Sequence, residues 1–192
     1  IAGWNPAITF SKTIYKKDIR TFGSGNAGLT NFHRNYGGWG SLLVIVLDLG
    51  KMVGACLLGA LILPEYPEYA KMLTGFFVQM GHIFPVYFRF RGGKGILCSA
   101  ALAFMMDWRI FVIIFAVFLI AFLATKMVSL GSILAAVAYP ICFILCFPGK
   151  PWIWALAIGM AAIAIFMHRS NIARLLSGEE AKTDLFKKGK SV

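Results

Sequence analysis

Residues 110–125 read IFVIIFAVFLIAFLAT and, after the single Lys126, residues 127–147 read MVSLGSILAAVAYPICFILCF. Neither run carries a charged side chain. A helix needs about 20 apolar residues to cross a bilayer, and hydrocarbon leaves only helices or a closed barrel with their backbone groups satisfied. Barrel strands alternate apolar with polar residues, whereas these runs are continuous. The stretch therefore predicts two membrane helices in succession, and an all-α fold.

The rest of the chain follows suit. It has 192 residues, of which 59% are hydrophobic and 14% charged, with a mean hydropathy of +0.75. Soluble domains average about half apolar and a quarter charged, so a disordered chain is excluded and an ordinary soluble domain is not expected. Nineteen Lys and Arg against eight Asp and Glu give a net charge of +11. That excess asks for anionic partners, either lipid headgroups or phosphorylated metabolites. Nucleic acid is not expected as a partner, because the basic residues are scattered among apolar segments.

Apolar segments run over 1–15, 39–63, 70–88, 96–106, 110–125, 127–147 and 152–167. The fold class read from them is a polytopic membrane helix bundle of about seven transmembrane segments. The segment 96–106 is too short to span alone, and a break is expected near Asp107–Trp108–Arg109. The connections holding Lys12, Lys16, Lys17, Arg20, Arg34, Arg89, Arg91, Lys94 and Lys126, together with the basic tail from Arg169 to Lys190, fall on one side. The other side holds only Lys71, Arg109 and Lys150. The basic side is the cytoplasmic one, which puts the N-terminus outside and the C-terminus in the cytoplasm. The acidic loop 64–69 then lies outside. Lys187–Lys190 reads as attraction to a lipid surface. The chain opens at Ile1 inside an apolar run, as if part of its N-terminus were missing, and shows no secretory signal. The four cysteines sit in apolar runs without CxxC spacing and read as packing residues.

All the longer polar stretches fall on the cytoplasmic side, so chemistry is expected there. Gly23-Ser24-Gly25-Asn26-Ala27-Gly28-Leu29-Thr30-Asn31-Phe32-His33-Arg34 joins glycines, which let N–H groups converge on an anion, to neutral donors and one guanidinium. It matches G-x-G-x-x-G formally, but Asp48 lies in an apolar segment and no strand precedes it, so a dinucleotide site is rejected. A plain re-entry loop is the competing reading. Arg89-Phe90-Arg91-Gly92-Gly93-Lys94-Gly95 feeds an apolar run, as a phosphate seat at a helix start would. It is not a Walker A loop, since Gly95 stands where Ser or Thr is required. In the third stretch, His168, Asn171 and Arg174 share one helix face. An amphipathic helix on the inner leaflet competes there. Within apolar segments, Asp48 and Lys51 are spaced to pair, and His82 precedes Pro85 by one turn.

Together, Gly23–Arg34, Gly81–Gly95 and His168–Glu180, with Asp48-x-x-Lys51 and Ser129-Leu130-Gly131-Ser132, resemble the motifs of the bacterial membrane glycerol-3-phosphate acyltransferases that use acyl phosphate, the PlsY family. The resemblance covers nearly the whole chain. Departures at Leu29, Met52, Ile96-Leu97-Cys98 and Gly3-Trp4-Asn5-Pro6 touch local packing, not the polar motif residues.

The resemblance implies one integral membrane acyltransferase domain over 1–192 in the bacterial inner membrane, with its active site on the cytoplasmic face. It implies transfer of a fatty acyl group from acyl phosphate to the 1-hydroxyl of glycerol 3-phosphate. The products are 1-acylglycerol 3-phosphate and phosphate, as the first step of phospholipid synthesis. No cofactor and no metal are implied. Ser24, Asn26, Thr30, Asn31, Arg34 and Lys94 would hold phosphate, with Gly25, Gly93 and Gly95 in the binding loops. His168, Asn171 and Glu180 would place glycerol 3-phosphate, and His82 would line the site. The catalytic set is Arg34, Lys94, His168 and Glu180. His168, Glu180 or a substrate phosphate would take the hydroxyl proton, with the phosphate favoured because it is already bound where a base is wanted. A small transporter of an anionic metabolite is the alternative. Against it stands the gathering of polar groups on one face.

Overall fold

The computed structural model describes residues 2–183, so the expected role of Lys187–Lys190 lies outside the described residues. Its helices are α1 (Pro6–Thr13), α2 (Leu29–Tyr36), α3 (Gly38–Ile62), α4 (Pro67–Ile83), α5 (Ile96–Met106), α6 (Trp108–Thr125), α7 (Val128–Cys146), α8 (Pro151–Met167) and α9 (Arg169–Leu176). Short 3₁₀ turns cover Ile19–Thr21 and Val86–Phe88, and the described residues contain no strand.

Five of the seven expected apolar segments become a helix with nearly the expected bounds. The first shrinks to α1, whose start is set by Asn5: its side chain accepts from Ile8 N at 3.0 Å, with Pro6 in the first turn. The expected segment 70–88 stops early, at Ile83. Pro85 disfavours helical backbone at Phe84 and lacks the N–H that would extend the ladder. The expected break after Met106 is present. Asp107 caps α6 by accepting from Arg109 N at 2.8 Å and pairs with the Arg109 guanidinium at 2.6 Å. α2 is a correction to the loop reading: residues 29–36 form a helix after the glycine turn.

Three helices, α3, α6 and α7, are long and apolar enough to cross a bilayer singly. α8 and α9 pass that test together, bent by 57° at His168. Many large apolar side chains point outward, among them Leu61, Ile120 and Leu145, each at least 70% exposed. A soluble protein does not present such a surface.

Inside, Met52, Met72, Leu102, Ile110, Phe143, Ile153 and Met160 form a dry core shared by α3 to α8. Cys56, Cys98 and Cys142 are buried in it as free thiols, in keeping with the packing reading. Gln79 is fully buried; it donates to Met160 O at 3.1 Å and accepts from Ser99 Oγ at 3.0 Å. These bonds tie α4 to α8 and α5, at about 0.6 kcal/mol each in a bilayer. A second cluster, Ala7, Ile8, Ile19, Ala27, Phe32 and Val44, docks α1 and α2 on α3. It holds the glycine loop 23–28 at one end of the bundle.

Candidate active site

The three polar motifs, far apart in sequence, surround one cavity of about 180 Å³ at the end of the bundle where α5 and α7 begin. Its wall includes Ser24, Asn26, Thr30, Asn31 and Arg34 from the first motif, His82, Lys94 and Gly95 from the second, and His168, Asn171 and Glu180 from the third. Gly25 lies instead on an adjoining groove with Ser24, Asn26, Arg169 and Arg174. Gly93 sits behind the wall, against His82.

Local folding explains each position. The first loop turns through Gly23 and Gly25, whose φ values of +62° and +67° suit glycine. Asn31, expected to hold phosphate, spends its side chain on the loop itself. Its amide donates to the carbonyls of Ile19, Phe22 and Asn26 at 3.0 to 3.2 Å, and its oxygen accepts from Ser24 N at 3.0 Å. It braces the loop, leaving the Ser24 and Asn26 side chains and Thr30 on the cavity. The second loop is pinned to the end of α4: Gly92 N donates to Ile83 O and Gly93 N to His82 O, both at 3.1 Å. A Cβ on Gly93 would stand 2.1 Å from His82 Nε2.

His82 is itself fixed by the pair expected from sequence. Lys51 Nζ lies 2.6 Å from Asp48 Oδ1 and 2.8 Å from His82 Nδ1, and it donates to Trp4 O at 3.3 Å. Asp48, His82 and Cys98 bring donor atoms within 4.8 Å of one another, a spacing a metal ion can use. The Lys51 ammonium already supplies the positive charge there, so these residues do not make a convincing metal seat.

The electrostatics favour an anion. Arg34, Lys94 and Arg174 face the carboxylate of Glu180, while Asp48, also on the wall, is paired with Lys51. Lys94 donates to Asn171 Oδ1. Asn171 Nδ2 donates to Glu180 Oε1 at 2.8 Å, and Arg174 Nε donates to Glu180 Oε2 at 2.8 Å. Burial, with repulsion from Arg174 and Arg34, brings Lys94 down to about 8 against the pull of Glu180. Burial raises the Glu180 carboxyl, but its hydrogen bonds outweigh that and hold it below its ordinary value. His168 stands at the bend between α8 and α9, its Nδ1 2.8 Å from Ala164 O. A carbonyl only accepts, so Nδ1 carries the proton and Nε2 keeps a lone pair. Burial and the nearby Lys94 push His168 down to about 4, so it is neutral at physiological pH.

Three features of the wall stand outside the expected site residues. Asp48 reaches the cavity wall. Ser129 and Ser132, two hydroxyls three residues apart on α7, line it and are buried. Ser129 Oγ falls short of a hydrogen bond to any side chain, although its nearness to Glu180 helps hold that carboxylate ionised. The motif Ser129-Leu130-Gly131-Ser132 carries them in the sequence, two hydroxyls on one face of an apolar helix. The segment after α9 crosses the cavity as a strap: Arg34 donates to Ala181 O at 3.1 Å and to Thr183 Oγ1 at 2.5 Å, and Thr183 N donates to Lys126 O at 2.8 Å.

An apolar slot of about 140 Å³ adjoins the cavity, sharing Ile96, Leu97 and Phe118 with it. A polar, cationic cavity thus opens directly onto an apolar slot.

A family model described as glycerol-3-phosphate acyltransferase matches residues 1–178. The glycerol-3-phosphate acyltransferase of Listeria monocytogenes serotype 4a is 41% identical over 178 residues, covering 91% of this chain and 87% of its own length. That of Finegoldia magna is 37% identical over 176 residues, covering 92% and 87%. Among solved structures, PlsY (YgiH), an integral membrane glycerol 3-phosphate acyltransferase in its glycerol 3-phosphate form, superposes with a TM-score of 0.83 at 33% identity, covering 97% of this chain and 96% of that one. Its lysophosphatidic acid form gives 0.79 at 32% identity, covering 96% and 92%.

Proposed function

The chain belongs to the glycerol-3-phosphate acyltransferase family, and from that premise we propose that it moves a fatty acyl group from acyl phosphate to the 1-hydroxyl of glycerol 3-phosphate. The products are 1-acylglycerol 3-phosphate and phosphate. The observation that carries this reading is the junction of two seats, one cationic cavity and one apolar slot, at Ile96, Leu97 and Phe118.

The chemistry divides along that junction. The hydrocarbon tail enters the slot, which brings the acyl carbonyl to the cavity. Arg34, Lys94, Asn171, Ser24, Asn26 and Thr30 bind the phosphates of donor and acceptor. Their donors are held in place before reaction, so they stabilise the charge that grows on the departing phosphate at little reorganisation cost. Holding both substrates together supplies the remaining large share of the barrier reduction. His168 Nε2 accepts a hydrogen bond from the 1-hydroxyl and aims it at the acyl carbon. A base with a pKa near 4 is a poor store for that proton. A phosphate with a second pKa of about 6 is better matched, so the proton leaves on phosphate. The new bond joins the glycerol oxygen to the acyl carbon, and the carbon–oxygen bond to phosphate breaks. Glu180 keeps Asn171 and Arg174 in place. No acyl-enzyme nucleophile is needed, because an acyl phosphate is already an activated donor.

The setting we infer is the bacterial inner membrane, with seven membrane segments, the N-terminus outside and the cavity on the cytoplasmic face. The ion pair Lys150–Glu68 joins the starts of α4 and α8 at one end of the bundle, and the basic motifs gather at the other. That separation supports the positive-inside orientation. Thiol labelling of single-cysteine variants at 66, 108 and 150 from the outer side tests it; labelling only from the inner side contradicts it. Donor choice is tested by giving the purified protein palmitoyl phosphate or palmitoyl-CoA with glycerol 3-phosphate and identifying the product by mass spectrometry. Product from the phosphate alone is expected; product from the thioester alone contradicts the reading.

A further inference from the structure

We infer that the rings of Phe111 and Tyr139, by closing the deep end of the apolar slot, set the length of acyl chain this protein accepts; the inference rests on the slot being the acyl seat. One wall of the slot is a row of rings on α6, Phe111, Phe115 and Phe118. They follow at spacings of four and three residues with ring centroids 5.7 and 6.4 Å apart in near-parallel planes, and the stack continues beyond the slot to Phe122 at 6.0 Å. The facing wall is nearly bare, with Ala100 on α5, Ala136 on α7 and Ala161 on α8. Small side chains opposite large flat ones leave room for a chain rather than a packed interface.

The slot has a direction. Phe118 belongs to the cationic cavity as well, so it marks the mouth. Phe111 lies seven residues earlier on the same helix, about 10 Å deeper at 1.5 Å per residue. There both rings are braced from behind. Phe111 meets Phe104 edge-on at 5.7 Å, and Tyr139, 2% exposed, packs on Phe143 at 4.6 Å. A chain reaching past the end must displace one of two braced aromatic side chains, and overpacking of that kind is costly.

The test is competition among an equimolar ladder of acyl phosphates, hexanoyl to stearoyl, in lipidic medium, with products resolved by mass spectrometry. Phe111→Ala is expected to move the product ratio about tenfold toward the longer members, since each methylene in an apolar pocket discriminates by that order. Ala161→Leu, which fills the slot without emptying the core, is expected to move it toward the shorter members and reads the same effect if Phe111→Ala does not fold. Wild-type ratios in the folded variants overturn the inference and mean that the tail leaves the slot past Phe115 into lipid. A wild type that turns over no member of the ladder removes the acyl-transfer reading itself, and the inference with it.

Discussion

Asn171 donates to Glu180 Oε1 at 2.8 Å, while the oxygen of the same amide accepts from the Lys94 ammonium. An ammonium only donates and a carboxylate only accepts, so both partners dictate which way the amide points. Asn171 therefore separates a cation from an anion that would otherwise neutralise each other, and keeps Lys94 directed at the cavity. Asn171→Asp sets a carboxylate against Glu180 and pairs Lys94 with it. A fall of about 100-fold in kcat/KM for glycerol 3-phosphate is expected, the order lost with one preorganised donor. Steady-state kinetics on membrane-inserted protein check this, and a value within tenfold of wild type contradicts it.

Lys94 gives the reaction an alkaline limit. Its pKa is lowered to about 8, chiefly by burial. The charged form, the one proposed to bind phosphate, dominates below that pH and is lost above it. kcat/KM is expected to fall about tenfold per unit above pH 8, because it reports the free enzyme. In kcat the limb should move upward, since bound phosphate favours the ammonium. Lys94→Arg keeps its charge throughout, so whatever activity it retains should show no such limb. A wild-type profile with no alkaline limb would mean that Lys94 does not bind phosphate as a titrating ammonium.

Gly92 tests how tightly the second loop is seated. A Cβ there would lie 2.0 Å from His82 O and 2.8 Å from Ile83 O, both backbone atoms that cannot swing aside. Gly92→Ala must push the loop, and Lys94 with it, away from α4. Misplacement by about 1 Å is enough to cost on the order of 100-fold. Gly178→Ala meets nothing within 4 Å among the described residues and has only the strain of φ +75°. Turnover is expected to collapse in the first and to survive largely in the second, measured side by side at matched membrane levels.

Much of this was readable from the sequence, and the remainder has physical causes. The break at Asp107 and the start of α5 were legible because uncharged runs end at charged or glycine-rich punctuation. The end of α4 was not, because the residues after Ile83 are as apolar as those before it and only Pro85 betrays the stop. α2 was missed since a short polar helix after glycines has no apolar period; Phe32, packed in the second cluster, is what holds it. Residue types pointed to an anion site, and the structure gathers eleven of the thirteen expected residues on one cavity wall. Roles were harder to read. Asn31 looks like a phosphate donor in sequence, and only its four loop bonds reveal a brace. The strap over Arg34 joins positions about 150 residues apart, which no local pattern announces.

Tyr139 supplies a stability test independent of turnover. Among the described residues its buried hydroxyl has no hydrogen-bond partner. An unpartnered buried hydroxyl costs about 1–3 kcal/mol. Tyr139→Phe removes that cost and keeps the ring, so a gain of about 1 kcal/mol is expected, read as a higher Tm in detergent. A lower Tm would mean that the hydroxyl has a partner in solution.

The most direct measurement is release of inorganic phosphate by purified protein in lipidic medium supplied with palmitoyl phosphate, with and without glycerol 3-phosphate. The wild type is expected to release phosphate only when glycerol 3-phosphate is present, one for each molecule acylated. Arg34→Ala and Lys94→Ala are expected to insert normally and release none. Near-normal release by either variant, or movement of glycerol 3-phosphate across a vesicle wall without acylation, would contradict the account.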